Sequence, residues 1–535
     1  MNASDDPDRT PSERTDVCVV GAGPAGALVA HSLARRGHDV VVLEGGDRFD
    51  FDDRKQRMER SIRPGHDALS VWDMGGQRDA YTSTGEQFYP LNHARVKGVG
   101  GTTLHWQGMV MRLHESDFES WPISYDDLRP YYARAETALG VAGADDNPFA
   151  PPRETPFPLP AFRPSYSDSL FAEACEKLGV TMHSVPSARN SEPYDDRGQC
   201  VSYGTCKPVC PSGAKYSADV HVRKAEAEGA RIIDRARVHR LEHDDGGERI
   251  EAAVYATPNG EHRQEAREFV LAGGGVETPR LLLLSKSAQY PQGFANSSGA
   301  VGRYFMEHLF AGMGGRIERR TRQNHVGFMT SECHQFYDEP GRGTDGIPDS
   351  GDELTPLKLE FLNYAGPSPV EIALGANEWG DDLLSSIRQQ YGNDIGMGAL
   401  AGQRPRAENR ITLDHGTKDD HGNPVPKIHW QVDGRTKATL RRANEIQRAI
   451  LGELDADITW QVGPDNTGPA FHHMGTTRMG TDPNESVVNL RLRTHDFENC
   501  TIASSSVFVT SGAMNPTLTI AALALKASDH IHERL

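Results

Sequence analysis

The chain has 535 residues with a hydrophobic share of 37%, enough to fold but too long for one ordinary core, so two or more domains are expected. Asp and Glu number 75 against 57 Lys and Arg, for a net charge of -18, and only 12 of the basic residues are Lys. A surface this acidic repels phosphate backbones and anionic lipid, which disfavours nucleic-acid and membrane-surface partners; acid-rich, lysine-poor chains are also typical of proteins from concentrated salt, so a halophilic source is expected.

The first residues, "MNASDDPDRTPSERTD", are polar and resemble neither a secretory nor a twin-arginine signal, so 1–13 reads as a disordered leader. The most apolar window, 270–284, contains Glu277, Pro279 and Arg280, and no segment reaches the length of a bilayer span. Synthesis and folding in the cytoplasm follow, with free thiols or metal centres expected in preference to disulfides.

Residues 16–46 read as strand, turn, helix, strand: "DVCVV", then "GAGPAG", then "ALVAHSLARRG" at helical spacing, then "HDVVVLEGG". This βαβ unit predicts an α/β fold with a doubly wound, Rossmann-like dinucleotide domain. In the glycine turn, Gly21 permits the sharp bend, Gly23 lets backbone approach a pyrophosphate, Pro24 opens the helix, and Gly26 lets helix and sheet pack closely. Glu44 ends the second strand 23 residues after Gly21, where a carboxylate can accept from a ribose diol. These residues outweigh the alternative of a glycine turn with no ligand, but do not separate FAD from NAD.

Further on, "WPISYDDLRPYYARAETALG" predicts a helix capped by Ser124 with Asp127 in its first turn, followed by a proline-rich loop. Residues 231–256 read as β-structure turning at "DDGG", and "EFVLAGGGVETPRLLLLSKS" as a buried strand, a glycine turn and a helix. Residues 312–460 suggest a separate α+β substrate domain with an antiparallel sheet, helices outside it, and Gly/Asp-rich loops near 340–353. The expected division is a nucleotide domain from 14–115, 205–311 and 462–535, and a substrate and cysteine-loop region from 116–204 and 312–461.

Several longer blocks occur in order along the chain: "VKGVGGTTLHW" from Val96, "AGGGVETPRLLLLS" from Ala272, "VGRYFMEH" from Val301, "HHMGTTRMGTDPNESVV" from His472 and "SSSVFVTSGAMNPTLTIAALALKASDHI" from Ser504. Together they resemble the glucose–methanol–choline (GMC) oxidoreductases from residue 16 to 531. The resemblance implies FAD as cofactor, with Gly100, Gly101, Thr102 and Thr103 along the flavin and the Val238 backbone at the adenine. It places 503–506, Asn515, Pro516 and Thr517 around the isoalloxazine, with Ser504 where many relatives carry Asp. It implies His472, in H-x-x-G-T, as general base and Asn515 as the partner orienting the hydroxyl. A neutral imidazole suits that task because its pKa lies near working pH. The alternative is that His473 acts and His472 packs. His105 stands where some relatives join a His to the flavin 8α-methyl, so the flavin is either covalent there or met by a packed imidazole.

Cys200, Cys206 and Cys210 fall within eleven residues, with the spacing C-x5-C-x3-C-P, in a chain of seven cysteines. The loop resembles that of the FAD-dependent glucose, fructose and gluconate dehydrogenases, where three cysteines ligate a 3Fe–4S cluster. Zinc would need a fourth donor, the nearest being His183, and a disulfide would leave one thiol over. The resemblance implies electrons leaving to a cytochrome c subunit or quinone pool, and a small accessory subunit that could carry this chain to a membrane or across it. The expected function is therefore dehydrogenation of a sugar, sugar acid or polyol. A GMC oxidase using dioxygen, a non-redox lyase on the same fold, and a non-catalytic flavin carrier are the alternatives.

Overall fold

The computed structural model describes residues 8–63, 68–93, 95–321, 327–363 and 366–535. Residues 1–7 of the expected leader therefore lie outside the described residues. The stretch after them is anchored: Arg9 Nε donates to Asp234 at 3.1 Å, and the Tyr255 hydroxyl donates to the Arg9 carbonyl at 2.9 Å.

The predicted βαβ unit forms from strand Thr15–Val20, helix Pro24–Ala34 and strand Val40–Leu43. Val40–Leu43 is buried at all four positions, as a continuous apolar run covered on both faces should be. Its sheet runs in the order Arg231–Ile233, Val40–Leu43, Thr15–Val20, Gly260–Leu271, with Cys500–Ile502 paired to the last residues of Gly260–Leu271. These pairs are parallel. The first half of Gly260–Leu271 instead pairs antiparallel with Ile250–Thr257, which pairs with Arg237–His243 across the expected "DDGG" turn. Helix Thr517–His532 packs beside Pro24–Ala34, so both are buried almost all round.

The second sheet is antiparallel throughout, in the order Asp457–Val462, Leu309–Arg316, Asp394–Ala401, Leu357–Leu362, Ser331–Cys333, His183–Ser184. Helix Gly434–Gly452 covers one face with Leu440, Ala443, Ile446 and Ile450. Strand Leu357–Leu362, "LKLEFL", is buried at every position, so its alternation sends Lys358 and Glu360 to one buried face and Leu357, Leu359 and Phe361 to the other. A three-stranded sheet of Thr82–Gly85, Arg410–Lys418 and Pro424–Trp430 and a two-stranded pair of Ala142–Gly143 with Leu159–Pro160 make up the remaining sheets of the described residues. Ser124 caps helix Tyr125–Leu139 in a reciprocal box with Asp127, as its sequence predicts. Among the described residues no helix is long and apolar enough to cross a membrane.

Gly26 is the tightest point of the first domain. A Cβ there would lie 1.9 Å from the Gly21 carbonyl oxygen. The turn therefore tolerates no side chain at the helix start without moving the strand that precedes it. Gly26→Ala should destabilise the folded chain by about 1–3 kcal/mol, the range for overpacking a filled site, read as a lowered midpoint in chemical denaturation.

Candidate active site

The C-terminal ends of the parallel strands open onto a cavity of about 350 Å³ that reaches from the first glycine turn to the start of the last helix. Ligand crevices of open α/β sheets lie at this edge. Gly21, Gly23, Pro24, Glu44 and Val238 line it, as do Gly101, Thr102, Thr103 and His105. His472, Asn515, Pro516 and Thr517 line the same cavity.

Each glycine of the turn has a distinct reason. Gly21 sits at φ +106°, and a Cβ there would approach the Ala272 carbonyl oxygen to 2.8 Å. Gly23 has no atom within 4 Å of a built Cβ, so its bare backbone faces the open cavity at the helix N-terminus. Gly101, at φ +55°, lies against it, its built Cβ 3.0 Å from Gly23 Cα. The Glu44 carboxylate accepts Ala22 N–H at 2.8 Å and Gly46 N–H at 3.0 Å, one on each oxygen. A second lone pair on each oxygen remains for a diol. Burial pushes its pKa up, and the two amides oppose that shift. Helix Thr517–His532 adds a second N-terminus at the cavity, without an acidic residue in its first turn. The bare backbone at Gly23, the second helix start at the same cavity and the Glu44 carboxylate beside the first turn fit FAD.

Three of the expected cofactor residues lie behind the wall. Gly26 and Gly100 shape it without facing the cavity, Gly100 donating its N–H to the Ala22 carbonyl at 3.0 Å. Ser504 turns inward, its Oγ accepting Ser506 N–H at 3.1 Å and meeting Ser506 Oγ at 2.6 Å. The lining serine is Ser505, one residue on, whose hydroxyl donates to the His473 carbonyl at 2.6 Å. The short 3₁₀ turn Ser505–Val507 causes this one-residue offset.

The His472 segment is laid against "YFMEHLF". Met306 and Met474 exchange both backbone hydrogen bonds, at 2.9 and 3.0 Å, and Ala470 N–H donates to the His308 carbonyl at 2.8 Å. Gly475, at φ +88°, lets this ladder close, since a Cβ there would lie 2.3 Å from the Tyr304 carbonyl oxygen. His308 and His472 then meet through their Nδ1 atoms at 2.9 Å. The other ring nitrogen of His308 lies 3.0 Å from the Ser511 carbonyl oxygen, which can only accept. The hydrogen-bond network therefore assigns the proton of neutral His308 to Nε2 and leaves Nδ1 an acceptor. His472 must donate from its own Nδ1, which leaves its Nε2 with a lone pair.

Charge supports this assignment. Burial pushes the His308 pKa down to about 4. Burial, with His308, Lys358 and His473 nearby, holds His472 well below the usual imidazole range. Beneath them the buried Glu307 carboxylate accepts N–H groups from His308, at 2.9 Å, and from His472, and pairs with the Tyr89 hydroxyl. Burial still pushes its pKa up to about 8. His473 also lines the cavity but stacks on Phe305 and lies beside Tyr89.

Asn515 accepts at Oδ1 from Lys358 Nζ, 2.9 Å away. Sequence reasoning gave no role to Lys358, His308 or Glu307. The last two sit in the quoted "MEH", but nothing local reveals that His308 faces a residue 164 positions away.

Cys200, Cys206 and Cys210 line one small cavity of about 10 Å³ with Arg189 and Gly327, and all three are free thiols. Among the described residues no group of three or more His, Cys, Asp or Glu is arranged to hold a metal ion. His183 stands apart, its Nδ1 on the Ser184 carbonyl and its ring against His334. The loop is tied to the large cavity: Lys215 Nζ donates to the carbonyls of Leu104, Trp106 and Cys206, and Lys207 lines the cavity itself. Burial opposes ionisation of Cys210, but the Lys215 amide and ammonium and the Ser212 hydroxyl outweigh it and hold the thiol below its ordinary pKa.

Comparison with known proteins agrees with this geometry. Residues 80–310 and 405–524 match the two GMC oxidoreductase domains, and 14–56 an FAD binding domain. The chain is 34% identical to the fructose dehydrogenase large subunit of Gluconobacter japonicus, over 96% of this chain and 97% of that one. It is 29% identical to 2-methyl-1,2-propanediol dehydrogenase of Mycolicibacterium austroafricanum, over 98% and 96%. The structure of pyridoxine 4-oxidase from Mesorbium loti superposes with a TM-score of 0.67 at 19% identity, covering 97% of this chain and 99% of that one. The chain belongs to the GMC oxidoreductase family, FAD-dependent oxidoreductases that act on CH–OH donors.

Proposed function

We propose that this GMC oxidoreductase is a dehydrogenase for a CH–OH group of a sugar, a sugar acid or a polyol, with His472 as general base and Asn515 as the residue that orients the hydroxyl. In this reading the electrons leave through a 3Fe–4S cluster held by Cys200, Cys206 and Cys210. The observation that carries the chemistry is the His308–His472 hydrogen bond, which turns a lone pair on His472 Nε2 toward a cavity also lined by Asn515.

Bound FAD supplies the hydride acceptor. Gly21, Gly23, Pro24 and Glu44 would hold its adenosine and pyrophosphate end with the Val238 backbone, and Thr102, Thr103, His105, Pro516 and Thr517 its flavin end. A substrate hydroxyl set between His472 and Asn515 would give its proton to His472 Nε2, while the Asn515 carboxamide bears on the oxygen as negative charge builds there. That charge weakens the C–H bond on the same carbon. Burial keeps His472 neutral before substrate arrives. The Glu307 carboxyl group fixes the backbone under both histidines.

Three features support the cluster: the resemblance of the C-x5-C-x3-C-P loop, the small cavity shared by the three thiols, and the Lys215 bonds that join the loop to the segment Leu104–Trp106. A bound cluster would supply a one-electron relay, which a direct reaction with dioxygen does not need. The acceptor would then be a cytochrome c subunit or the quinone pool. A small accessory subunit would carry the chain to a membrane or across it, a reading in keeping with the words "large subunit" in the fructose dehydrogenase name.

His472→Ala should lower the rate of anaerobic flavin reduction by on the order of 10²–10⁴ while FAD remains bound. In the unsubstituted enzyme the imidazole pKa is depressed, so the base stays unprotonated as pH falls through 6.5; the rate should keep its plateau below that pH. Stopped-flow measurements across pH check both.

Purified protein should contain iron and acid-labile sulfide in a ratio near three to four, with a low-temperature spin resonance signal when oxidised. Iron-free protein that forms hydrogen peroxide without added dye would instead make it an oxidase. If His105 is joined to the flavin, acid precipitation should leave the yellow colour in the pellet; colour released entirely to the supernatant excludes the bond.

A further inference from the structure

We propose that Lys358 is a positioning residue for alcohol oxidation, holding the Asn515 carboxamide so that its NH₂ group faces the cavity, and that it does so as a buried cation; this rests on the reading of Asn515 as the orienting partner. Lys358 lies in the middle of strand Leu357–Leu362 and is 0% exposed. Its ammonium meets three groups: Glu332 at 2.8 Å, Glu360 at 3.0 Å and Asn515 Oδ1 at 2.9 Å. An ammonium only donates, so the Asn515 oxygen must face it. The carboxamide is then fixed with its donor edge away from the second sheet, and Asn515 lines the cavity. A free Asn could present either edge. Its oxygen at the reacting hydroxyl would repel the charge that forms there; its NH₂ stabilises it.

The surrounding groups are arranged to keep Lys358 charged. His334 accepts from the Asn147 amide at Nδ1, 2.9 Å away, which leaves Nε2–H to donate to Glu332 Oε2 at 2.9 Å. Glu332 thus receives both His334 and Lys358 and serves as the counter-ion. Burial pushes the Glu360 carboxyl up, with Lys358 opposing it. A buried ion pair is often no more stabilising than apolar residues of the same volume. This one sits on the sheet face turned toward the reacting groups, and its cation reaches one of them directly.

The test uses the FAD-loaded enzyme and the compound that bleaches the flavin fastest among D-fructose, D-gluconate, D-glucose and D-sorbitol. Lys358→Met is combined with Glu332→Gln so that no lone carboxylate is left buried. The pair should reduce flavin roughly 10- to 100-fold more slowly, with substrate affinity and FAD content unchanged. Adding Asn515→Ala to the pair should cost no more than Asn515→Ala alone, because both act through one carboxamide. The groups that face His472 are His308, His473 and Lys358, with the Glu307 carboxylate on its backbone N–H. Losing the ammonium among them should move the acid limb of the rate to higher pH, and Lys358→Arg should return it toward its original place. Wild-type rates in the paired variant, or losses that add to that of Asn515→Ala, overturn the proposal. Loss-free Asn515→Ala would instead overturn the assignment of Asn515. If the paired variant loads no FAD, Glu332→Gln alone is measured: it leaves the cation less compensated and should move the acid limb to lower pH, and an unmoved limb overturns the proposal.

Discussion

The hydrogen bond between the two Nδ1 atoms of His308 and His472 is the contact on which the chemistry of this site depends. An imidazole alone in a cavity presents either nitrogen. Here the choice is made outside His472, by a backbone carbonyl on the far side of its partner. The arrangement requires both rings to be neutral, and burial supplies that. It also requires the two chain segments to lie in one register, which the paired backbone bonds of Met306 and Met474 provide. A slip of one residue in that short ladder would bring His473 into the position of His472.

The parts of the molecule legible from sequence are those whose cause is local. A run of apolar residues, a glycine turn and a helical repeat specify the βαβ unit within thirty residues, and Gly21, Gly23, Pro24 and Glu44 all line the cavity as their spacing implies. The capping box at Ser124 is local in the same sense. Ser504 marks where such reading slips, because a single 3₁₀ turn carries Ser505 to the cavity wall in its place. Lys358 was illegible for another reason. "LKLEFL" alternates like a strand with one wet face, and only the second layer of the fold makes that face dry. The three cysteines announce themselves by spacing, and the fold gathers them on one cavity; their ligand is a question of chemistry that spacing alone does not answer.

Placing ionisable groups in such a site has an electrostatic logic. Two neutral histidines and one ammonium stand around the space where a hydroxyl would lose its proton. A cation near a base makes that base harder to protonate and an alkoxide easier to form. The first effect opposes transfer of the hydroxyl proton to the base and the second favours it, so the cation helps where it bears more closely on the oxygen than on the imidazole. The counter-ion Glu332 and the neighbouring Glu360 carboxyl lie on the second sheet, where they meet Lys358 and do not line the cavity.

This division also accounts for the discontinuous assembly of the chain. His472 and Asn515 both come from the closing segment that completes the nucleotide-binding layer. The groups that orient them come from the antiparallel sheet: His308 directly precedes its strand Leu309–Arg316, and Lys358 lies within its strand Leu357–Leu362. His472 and Asn515 are thus fixed relative to the cavity of the first sheet, while their donor and acceptor faces are set by the second sheet. The outer strands of that sheet, Asp457–Val462 and Ser331–Cys333, do not line the cavity. Its inner face is different, because His308 and Lys358 there hydrogen-bond directly to His472 and Asn515, so a substitution at either changes which donor or acceptor those two residues present to the cavity.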